Sequence, residues 1–179
     1  MHDNLERVLI DEITLKKRIK EMALEISKDY QGEELLVIGL LKGAAYFMTE
    51  LTQSLTVPTQ IDFIRASSYG DGTLSSGKVN ISFDTSRNIA GKNVLILDDV
   101  VDTGLTLHAI KELFAHRNVK SIKIAAMLDK KERRLVEMIP DYHGFVIPDE
   151  FVVGFGLDYG EDYRNLPYVG VLKREVYAK

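Results

Sequence analysis

Three acidic residues and a threonine-glycine turn follow one short aliphatic run of the sequence. The segment "VLILDDVVDTGLTL", residues 94–107, carries Asp98, Asp99 and Asp102 and then the letters TGLT. Backbone N–H groups that curl around one point before a helix bind phosphate, and a glycine there permits the tight turn. Carboxylates beside a phosphate are repelled unless they face ribose hydroxyls, a magnesium ion or a developing positive charge. The segment therefore predicts a site for a phosphorylated sugar with a cation-forming carbon.

The elements that position this segment alternate between strands and helices. Apolar periodicity predicts helices over residues 13–32, 43–55 and 105–118, and strands over residues 34–41, 60–69, 79–84, 93–99 and 121–128. Aliphatic strands separated by helices indicate an α/β fold with a mostly parallel, twisted sheet flanked by helices. In such sheets ligands bind beyond the carboxyl ends of the strands, which is where the acidic segment falls.

The sequence changes character after Pro140, where short strand-like pieces are interrupted by Gly, Pro and Asp. This pattern predicts a small hood over the end of the main sheet, built mainly from residues 140–179 and from the N-terminus as a further candidate. We expect residues 1–179 to form a single domain, since about 100–200 residues is the usual domain size. The segment from Ser67 to Lys78 is dense in Gly and Ser and is a candidate mobile loop.

Composition excludes several classes of protein. Twenty-three basic against 27 acidic residues give a net charge of -4, which disfavours a broad grip on nucleic acid. The absence of cysteine excludes disulfides and thiolate chemistry. The longest aliphatic run is far shorter than the roughly 20 residues that cross a bilayer, and no signal-like segment opens the sequence. We therefore expect a cytoplasmic protein with no membrane partner.

Five segments in order resemble those of the type I phosphoribosyltransferases, and of the hypoxanthine-guanine members in particular. One of them is "VLILDDVVDTGLT", which resembles the phosphoribosyl pyrophosphate motif of that family. The others are "LLKG" (residues 40–43), "FIRASSYG" (63–70), "LDKKERR" (128–134) and "EFVVGFGLDYGEDYRNLPYVG" (150–170). Five matches over nearly the whole chain make coincidence an unsatisfactory explanation. The resemblance implies a magnesium-dependent transfer of ribose 5-phosphate from phosphoribosyl pyrophosphate to hypoxanthine or guanine, in a homodimer or homotetramer.

The resemblance also implies a role for individual residues around the sugar. Asp102 is the catalytic residue, acting as general base or electrostatic stabiliser at the imidazole edge of the purine. The ribose and its 5′-phosphate are bound by Asp98, Asp99, Asp102, Thr103, Gly104, Leu105 and Thr106. Pyrophosphate is bound by Lys42, Gly43 and Arg164, and the peptide entering Lys42 is often cis in relatives. Magnesium is held by Asp98, Asp99 and Asp158.

Recognition of the purine follows from the same resemblance. Lys130 donates to the 6-oxo group, which selects against adenine because an exocyclic amine would leave the ammonium unpaired. Phe151 stacks on the base, the backbone of Val152 pairs with its edge, and Asp158 lies beside it. Ser68 and Tyr69 form the tip of a mobile loop that closes over the site.

Simpler interpretations remain for several of these residues. Asp98 and Asp99 alone could cap the following helix. The basic residues Lys131, Arg133 and Arg134 fit a solvated helix face, an interpretation that we accept for all of them.

Two other functions also remain open. The acidic cluster is compatible with a magnesium-dependent phosphohydrolase, although "DDVVD" lacks an Asp-x-Asp pair. An RNA-binding regulator on the same fold is the other alternative, and the acidic composition argues against it.

Overall fold

A computed structural model describes residues 2–68 and 79–178 of the chain. Tyr69 and most of the predicted mobile loop lie outside these residues. Within them the elements are β1 (Leu5–Ile10), α1 (Glu12–Asp29), β2 (Leu35–Leu40), α2 (Ala44–Ser54), β3 (Thr59–Ser68), β4 (Val79–Phe83), β5 (Asn93–Val101), α3 (Leu105–Ala115), β6 (Ser121–Asp129), a 3-10 turn (Lys131–Arg133), β7 (Tyr142–Val146), β8 (Val152–Val153), β9 (Val169–Leu172) and α4 (Arg174–Tyr177).

The main sheet has six strands in the order β4-β3-β2-β5-β6-β7. Neighbours from β3 to β7 are parallel, and only the edge strand β4 runs antiparallel to its neighbour. Side chains of β2 alternate between two apolar layers, with Leu35 and Val37 in one and Leu36 and Ile38 in the other. Helices α1 and α2 cover the first layer and α3 covers the second. The predicted α/β fold is confirmed, and burial on both faces explains why these strands are continuously aliphatic.

Helix α1 shows how local sequence sets the bounds of these elements. The Asp11 side chain caps its start by accepting the Thr14 backbone N–H at 2.9 Å. Its buried residues recur at helical spacing: Leu15, Ile19, Met22, Ala23 and Ile26, followed by Ser27. Beyond the C-cap at Tyr30, Gly32 adopts a positive φ of 79° that a glycine tolerates at no steric cost.

A separate three-stranded antiparallel sheet, in the order β1-β9-β8, forms the hood. Its small core joins Leu5 of β1 to Val153 of β8 and Leu172 of β9. The N-terminal segment therefore belongs to the hood, as the sequence suggested.

One strand of the predicted hood lies elsewhere. β7 pairs parallel with β6 at the edge of the main sheet, so this strand is an exception to the prediction that residues 140–179 mainly build the hood. The reason is packing: Tyr142 is buried in the apolar layer under α1, and Phe145 packs against that layer. The assignment of residues 1–179 to a single domain stays a prediction.

No helix in residues 2–68 and 79–178 is long and apolar enough to cross a membrane.

Candidate active site

The carboxyl ends of β2 and β5 bring two predicted site segments together. These strands are adjacent and parallel, with Gly39 opposite Leu97, so the residues that follow them emerge side by side. Gly43 lies so close to Asp99 that an added Cβ would stand 1.6 Å from the Asp99 Oδ2. The peptide between Leu41 and Lys42 is cis. Only glycine at position 43 leaves room for the Asp99 carboxylate at this edge of the sheet.

The turn between β5 and α3 forms a small cavity of about 90 Å³. Asp98, Asp102, Thr103, Gly104 and Thr106 are among the residues that line it. Gly104 adopts a left-handed φ of 81° and serves as the N-cap of α3, with no side chain of the described chain capping the helix. The first turn of α3 therefore directs backbone N–H groups and the positive end of the helix dipole at the turn. This arrangement is suited to a phosphate-sized anion.

Asp98 and Asp99 form an acidic pair at the end of β5, where Asp98 is buried and lines this cavity. Burial, followed by the neighbouring charge of Asp99, holds the pKa of Asp98 well above its ordinary value. Burial also raises the pKa of Asp99. Since Gly104 caps α3, the alternative that these acids cap the helix is wrong. Two carboxylates that repel each other favour a ligand that brings positive charge or hydroxyl donors to them.

Asp102 follows in the turn and meets a residue that the sequence assigned to a solvated helix face. The Arg133 Nε lies 2.6 Å from the Asp102 Oδ1, and the guanidinium also reaches the Asp149 Oδ1 at 3.4 Å. The Nε and Oδ1 are close enough for an ion pair but lack hydrogen-bond alignment, since this buried oxygen has no hydrogen-bond donor in the described chain. Arg133 thus holds the carboxylate of Asp102, the predicted catalytic acid, by an ion pair.

The segment from Asp129 to Arg134 contains a second residue that the sequence misjudged. Asp129 is 1% exposed at the end of β6, and the Arg134 guanidinium donates to its carboxylate. The Arg134 side chain also borders Gly104, where an added Cβ would lie 3.0 Å from the arginine Cδ. The three residues of the 3-10 turn are themselves exposed, so the solvated interpretation holds for Lys131, whereas the Arg134 side chain is only 15% exposed.

Lys130 points toward the hood. Its Nζ donates to the backbone oxygen of Glu150 at 2.8 Å and lies 3.9 Å from the Asp149 Oδ1, with only 12% of its side chain exposed. A largely buried lysine ammonium beside Glu150, the residue before Phe151, is placed to donate to a ligand carbonyl between the hood and the turn.

Phe151 and Val152 occupy the edge of the hood. The Phe151 ring is stacked on Tyr177, with centroids 4.8 Å apart, and meets Tyr159 edge-on. The Leu172 N–H donates to the Phe151 oxygen at 2.8 Å, so in an antiparallel ladder the next pair, Val152 with Val171, is the non-hydrogen-bonded one. The backbone groups of Val152 therefore face the open side of β8, where the edge of a ligand can pair with them.

The loop after β8 assembles the charged residues around Lys42. Arg164 donates to the Gly156 oxygen at 2.6 Å and lies 2.7 Å from the Asp158 Oδ1. Glu161 lies 2.8 Å from the Lys42 Nζ and 3.4 Å from an Arg164 nitrogen. Gly156 contacts the Lys42 loop closely, because a Cβ there would stand 2.1 Å from the Gly43 oxygen. The two cations predicted to bind pyrophosphate therefore share one carboxylate, which the sequence did not single out.

The predicted site residues fall into three groups in the structure. The residues predicted to bind the sugar and its phosphate lie on the turn after β5. Those predicted to bind pyrophosphate lie on the loop after β2 and on the loop after β8, called the hood loop below. Those predicted to bind the purine lie at the hood edge and after β6. Ser68 ends β3, and Tyr69 lies outside the described residues. The roles given to these residues stay predictions.

Among the described residues, no three acidic or histidine side chains converge as a ready-made metal site. Asp98 and Asp99 nevertheless fit magnesium, which is usually bound by one or two carboxylates together with substrate phosphates and water. The Asp158 carboxylate forms an ion pair with Arg164 and accepts a hydrogen bond from the Glu161 backbone N–H.

A larger cavity, of about 500 Å³, lies at the opposite end of the sheet, where β2, β3 and β5 begin. Two of its cations already have partners: the Lys120 Nζ lies 2.7 Å from the Glu33 carboxylate, and the Lys92 Nζ donates to the Gln60 side-chain oxygen at 3.3 Å. The smaller cavity at the β5 turn has the helix terminus and the acids, and it is the better candidate despite its size.

Comparisons with known proteins give relatives over nearly the whole chain. The phosphoribosyl transferase domain family matches residues 10–160. The hypoxanthine-guanine phosphoribosyltransferase of Lactococcus lactis is 49% identical over 175 residues, which is 98% of this chain and 95% of that protein. The chain belongs to the hypoxanthine-guanine phosphoribosyltransferases.

Further relatives show the extent of the similarity. A hypoxanthine phosphoribosyltransferase from Staphylococcus aureus has a TM-score of 0.96 and 47% identity, covering 100% of this chain and 97% of the solved one. The bifunctional protein TilS/HprT of Listeria monocytogenes is 46% identical over 179 residues, and the chain spans 28% of its length.

Proposed function

We propose that this phosphoribosyltransferase transfers ribose 5-phosphate from phosphoribosyl pyrophosphate to hypoxanthine or guanine, giving IMP or GMP and pyrophosphate in purine salvage. A bond forms between a purine ring nitrogen and the anomeric carbon, while the bond from that carbon to the pyrophosphate oxygen breaks. The observation that carries the proposal is the cavity at the β5 turn. It joins a helix N-terminus suited to a phosphate to acids suited to a sugar cation.

We propose that the turn after β5 binds the 5′-phosphate and that the acidic residues bind the ribose. Backbone N–H groups of residues 102–106 hold the 5′-phosphate. Asp98 and Asp99 face the ribose hydroxyls and offset positive charge at the anomeric carbon. Asp102 lies beside the imidazole edge and accepts its proton, and Arg133, 2.6 Å away, keeps the carboxylate in place.

The hood selects the base. Lys130 donates to the 6-oxo group, Phe151 stacks on the ring and the Val152 backbone pairs with the base edge. Stacking on an aromatic side chain is worth about 1–3 kcal/mol per base and tolerates either purine. Tyr177 stabilises the far face of Phe151. Selectivity then depends on Lys130, because within the described residues its ammonium has a single carboxylate within 4 Å, that of Asp149.

Magnesium fits the donor set at Asp98 and Asp99, with Asp158 as a further predicted ligand. When bound, it would neutralise charge on the diphosphate of the sugar donor. Lys42 and Arg164 bind the same diphosphate from the protein side, the arginine through its planar fork of donors.

The test is a set of initial rates with hypoxanthine, guanine, xanthine and adenine at fixed phosphoribosyl pyrophosphate and magnesium. We expect hypoxanthine and guanine to be consumed and adenine to be refused. Asp102→Ala should lower kcat by about 10²–10⁴-fold, the usual contribution of a general base, while phosphoribosyl pyrophosphate still binds in a calorimeter. Wild-type turnover in that variant would remove Asp102 from its role. Release of inorganic phosphate without any purine would instead indicate the phosphohydrolase alternative.

The oligomer is also proposed and not observed. A homodimer or homotetramer remains our expectation, and light scattering coupled to size exclusion would determine the number of subunits.

A further inference from the structure

The carboxylate of Glu161 lies between the two cations that are proposed to bind pyrophosphate. Its Oε2 is 2.8 Å from the Lys42 Nζ and 3.4 Å from an Arg164 nitrogen. Lys42 comes from the loop after β2, whereas Arg164 comes from the hood loop. Glu161 is therefore the group that links the two halves of the pyrophosphate site through charge.

The backbone holds Glu161 in this position. Its N–H donates to the Asp158 Oδ2 at 2.9 Å, and its φ of 74° lies in the left-handed region. Tyr159 and Asp162 exchange backbone hydrogen bonds of 3.3 and 3.2 Å across it. The tight turn fixes where the side chain begins.

The contact is easily opened. The Glu161 side chain is 62% exposed and that of Lys42 is 48% exposed, and ion pairs at such positions contribute little to stability. Arg164 is anchored independently by the Gly156 oxygen and by Asp158. Its buried Nε has no hydrogen-bond acceptor within the described residues, so the guanidinium has donor capacity that its present partners do not use.

We propose that Glu161 is an anionic stand-in for pyrophosphate: it pairs with Lys42 and Arg164 in the free enzyme and is displaced when the diphosphate of the substrate arrives. The inference rests on the proposed function and adds a residue to it. The Glu161 carboxylate occupies donors of Lys42 and Arg164 that a diphosphate would need, so the two anions compete for the same cations. Its return after transfer favours departure of the product. Glu161 is a positioning residue, since it touches the substrate-binding cations and not the reacting atoms.

The competition predicts a variant that binds more tightly than the natural protein. Glu161→Gln keeps the size of the side chain and removes its charge. Removing one like charge a few ångströms from the bound anion should strengthen pyrophosphate binding by about three- to tenfold in a solvated site. The matched control is Asp162→Asn, which changes the net charge equally at the neighbouring exposed position without touching Lys42 or Arg164.

The experiment is calorimetric titration of inorganic pyrophosphate with magnesium into the full chain, for the wild type and both variants. Steady-state KM values for phosphoribosyl pyrophosphate and hypoxanthine are measured alongside. We expect a lower Kd for pyrophosphate and a lower KM for phosphoribosyl pyrophosphate in Glu161→Gln only, with the KM for hypoxanthine unchanged. Raising the salt concentration should shrink the difference, because the competing charges are solvated.

Each outcome decides between the possibilities. Equal or weaker pyrophosphate binding in Glu161→Gln, or an equal gain in Asp162→Asn, overturns the stand-in role while leaving the enzyme activity in place. A wild-type protein that neither binds pyrophosphate nor consumes hypoxanthine overturns the proposed function, and this inference with it. Thermal melts of the three proteins exclude misfolding as the cause of a change.

Discussion

Replacing Gly43 by alanine would test whether the close approach of two loops sets the position of Asp99. The backbone at Gly43 has φ -59° and ψ -42°, a conformation that alanine adopts freely. The added Cβ, however, would lie 1.6 Å from the Asp99 Oδ2 and 2.4 Å from its Cγ. Since unbonded atoms of this kind rest about 3.5 Å apart, the carboxylate must retreat by about 2 Å or the Lys42 loop must shift.

Retreat of Asp99 displaces a proposed ligand of magnesium and ribose, and a shift of the Lys42 loop displaces a proposed ligand of pyrophosphate. A misplacement of about 1 Å can cost 10²-fold in rate, so we expect kcat/KM to fall by at least about 10²-fold. The free energy of unfolding should fall by only about 1–3 kcal/mol, the usual cost of overpacking. The assay is kcat/KM as a function of magnesium concentration, with thermal melts to confirm folding.

Gly32→Ala is the control for this prediction. Gly32 has φ +79°, and an added Cβ would meet nothing within 4 Å. This variant should lose roughly 1 kcal/mol of stability through backbone strain and keep its kinetics. If Gly43→Ala retained wild-type kcat/KM and magnesium dependence, the reasoning from the Asp99 contact would be refuted.

Two further predictions concern the buried charges. Arg134→Met leaves Asp129, which is 1% exposed, without its cation, and should cost about 3–5 kcal/mol and lower Tm by roughly 6–20 °C; a loss below about 1 kcal/mol would mean that the carboxylate is satisfied otherwise. Asp98→Asn should stabilise the magnesium-free protein while impairing transfer, because burial and Asp99 raise the pKa of Asp98. A carboxyl with a raised folded pKa stabilises the fold at low pH and loses that contribution as pH rises through the folded value. The Tm advantage of Asp98→Asn should therefore grow from about pH 4 upward, and a constant or negative difference would contradict the argument.

The layered core could be predicted because β2, β5 and β6 are each buried on both faces. Their unbroken aliphatic runs are typical of parallel strands under helices, whatever lies farther along the chain. The turn after β5 could be predicted equally well, because its acids, threonines and glycine are contiguous in sequence. One short segment supplies both the side chains and the backbone turn that positions them.

The position of β7 could not be predicted in the same way. "GFVIP" resembles the hood strands in length and composition, and the choice between two sheets depends on packing against α1, which is more than a hundred residues away in sequence. Pairing between distant strands leaves little trace in a short apolar piece.

Arg133 and Glu161 were missed for a related reason. Charged side chains in turns are normally solvated, and sequence spacing does not reveal which acid or cation a turn will face. Only the folded loops show that Arg133 meets Asp102 and that Glu161 meets Lys42. The nearest signal was the shortness of the basic run, residues 130–134, which is little more than one helical turn.

The hood unites two distant parts of the chain, because β1 pairs with β9 and β9 with β8. On the ribosome, β2 to β7 can therefore associate while the partners of β1 have not yet been synthesised. The turn after β5, which we propose binds the 5′-phosphate, can therefore form before the hood. Phe151 and Val152, proposed to contact the purine, join a complete hood sheet only after Val169–Leu172 has emerged to pair with β1 and β8.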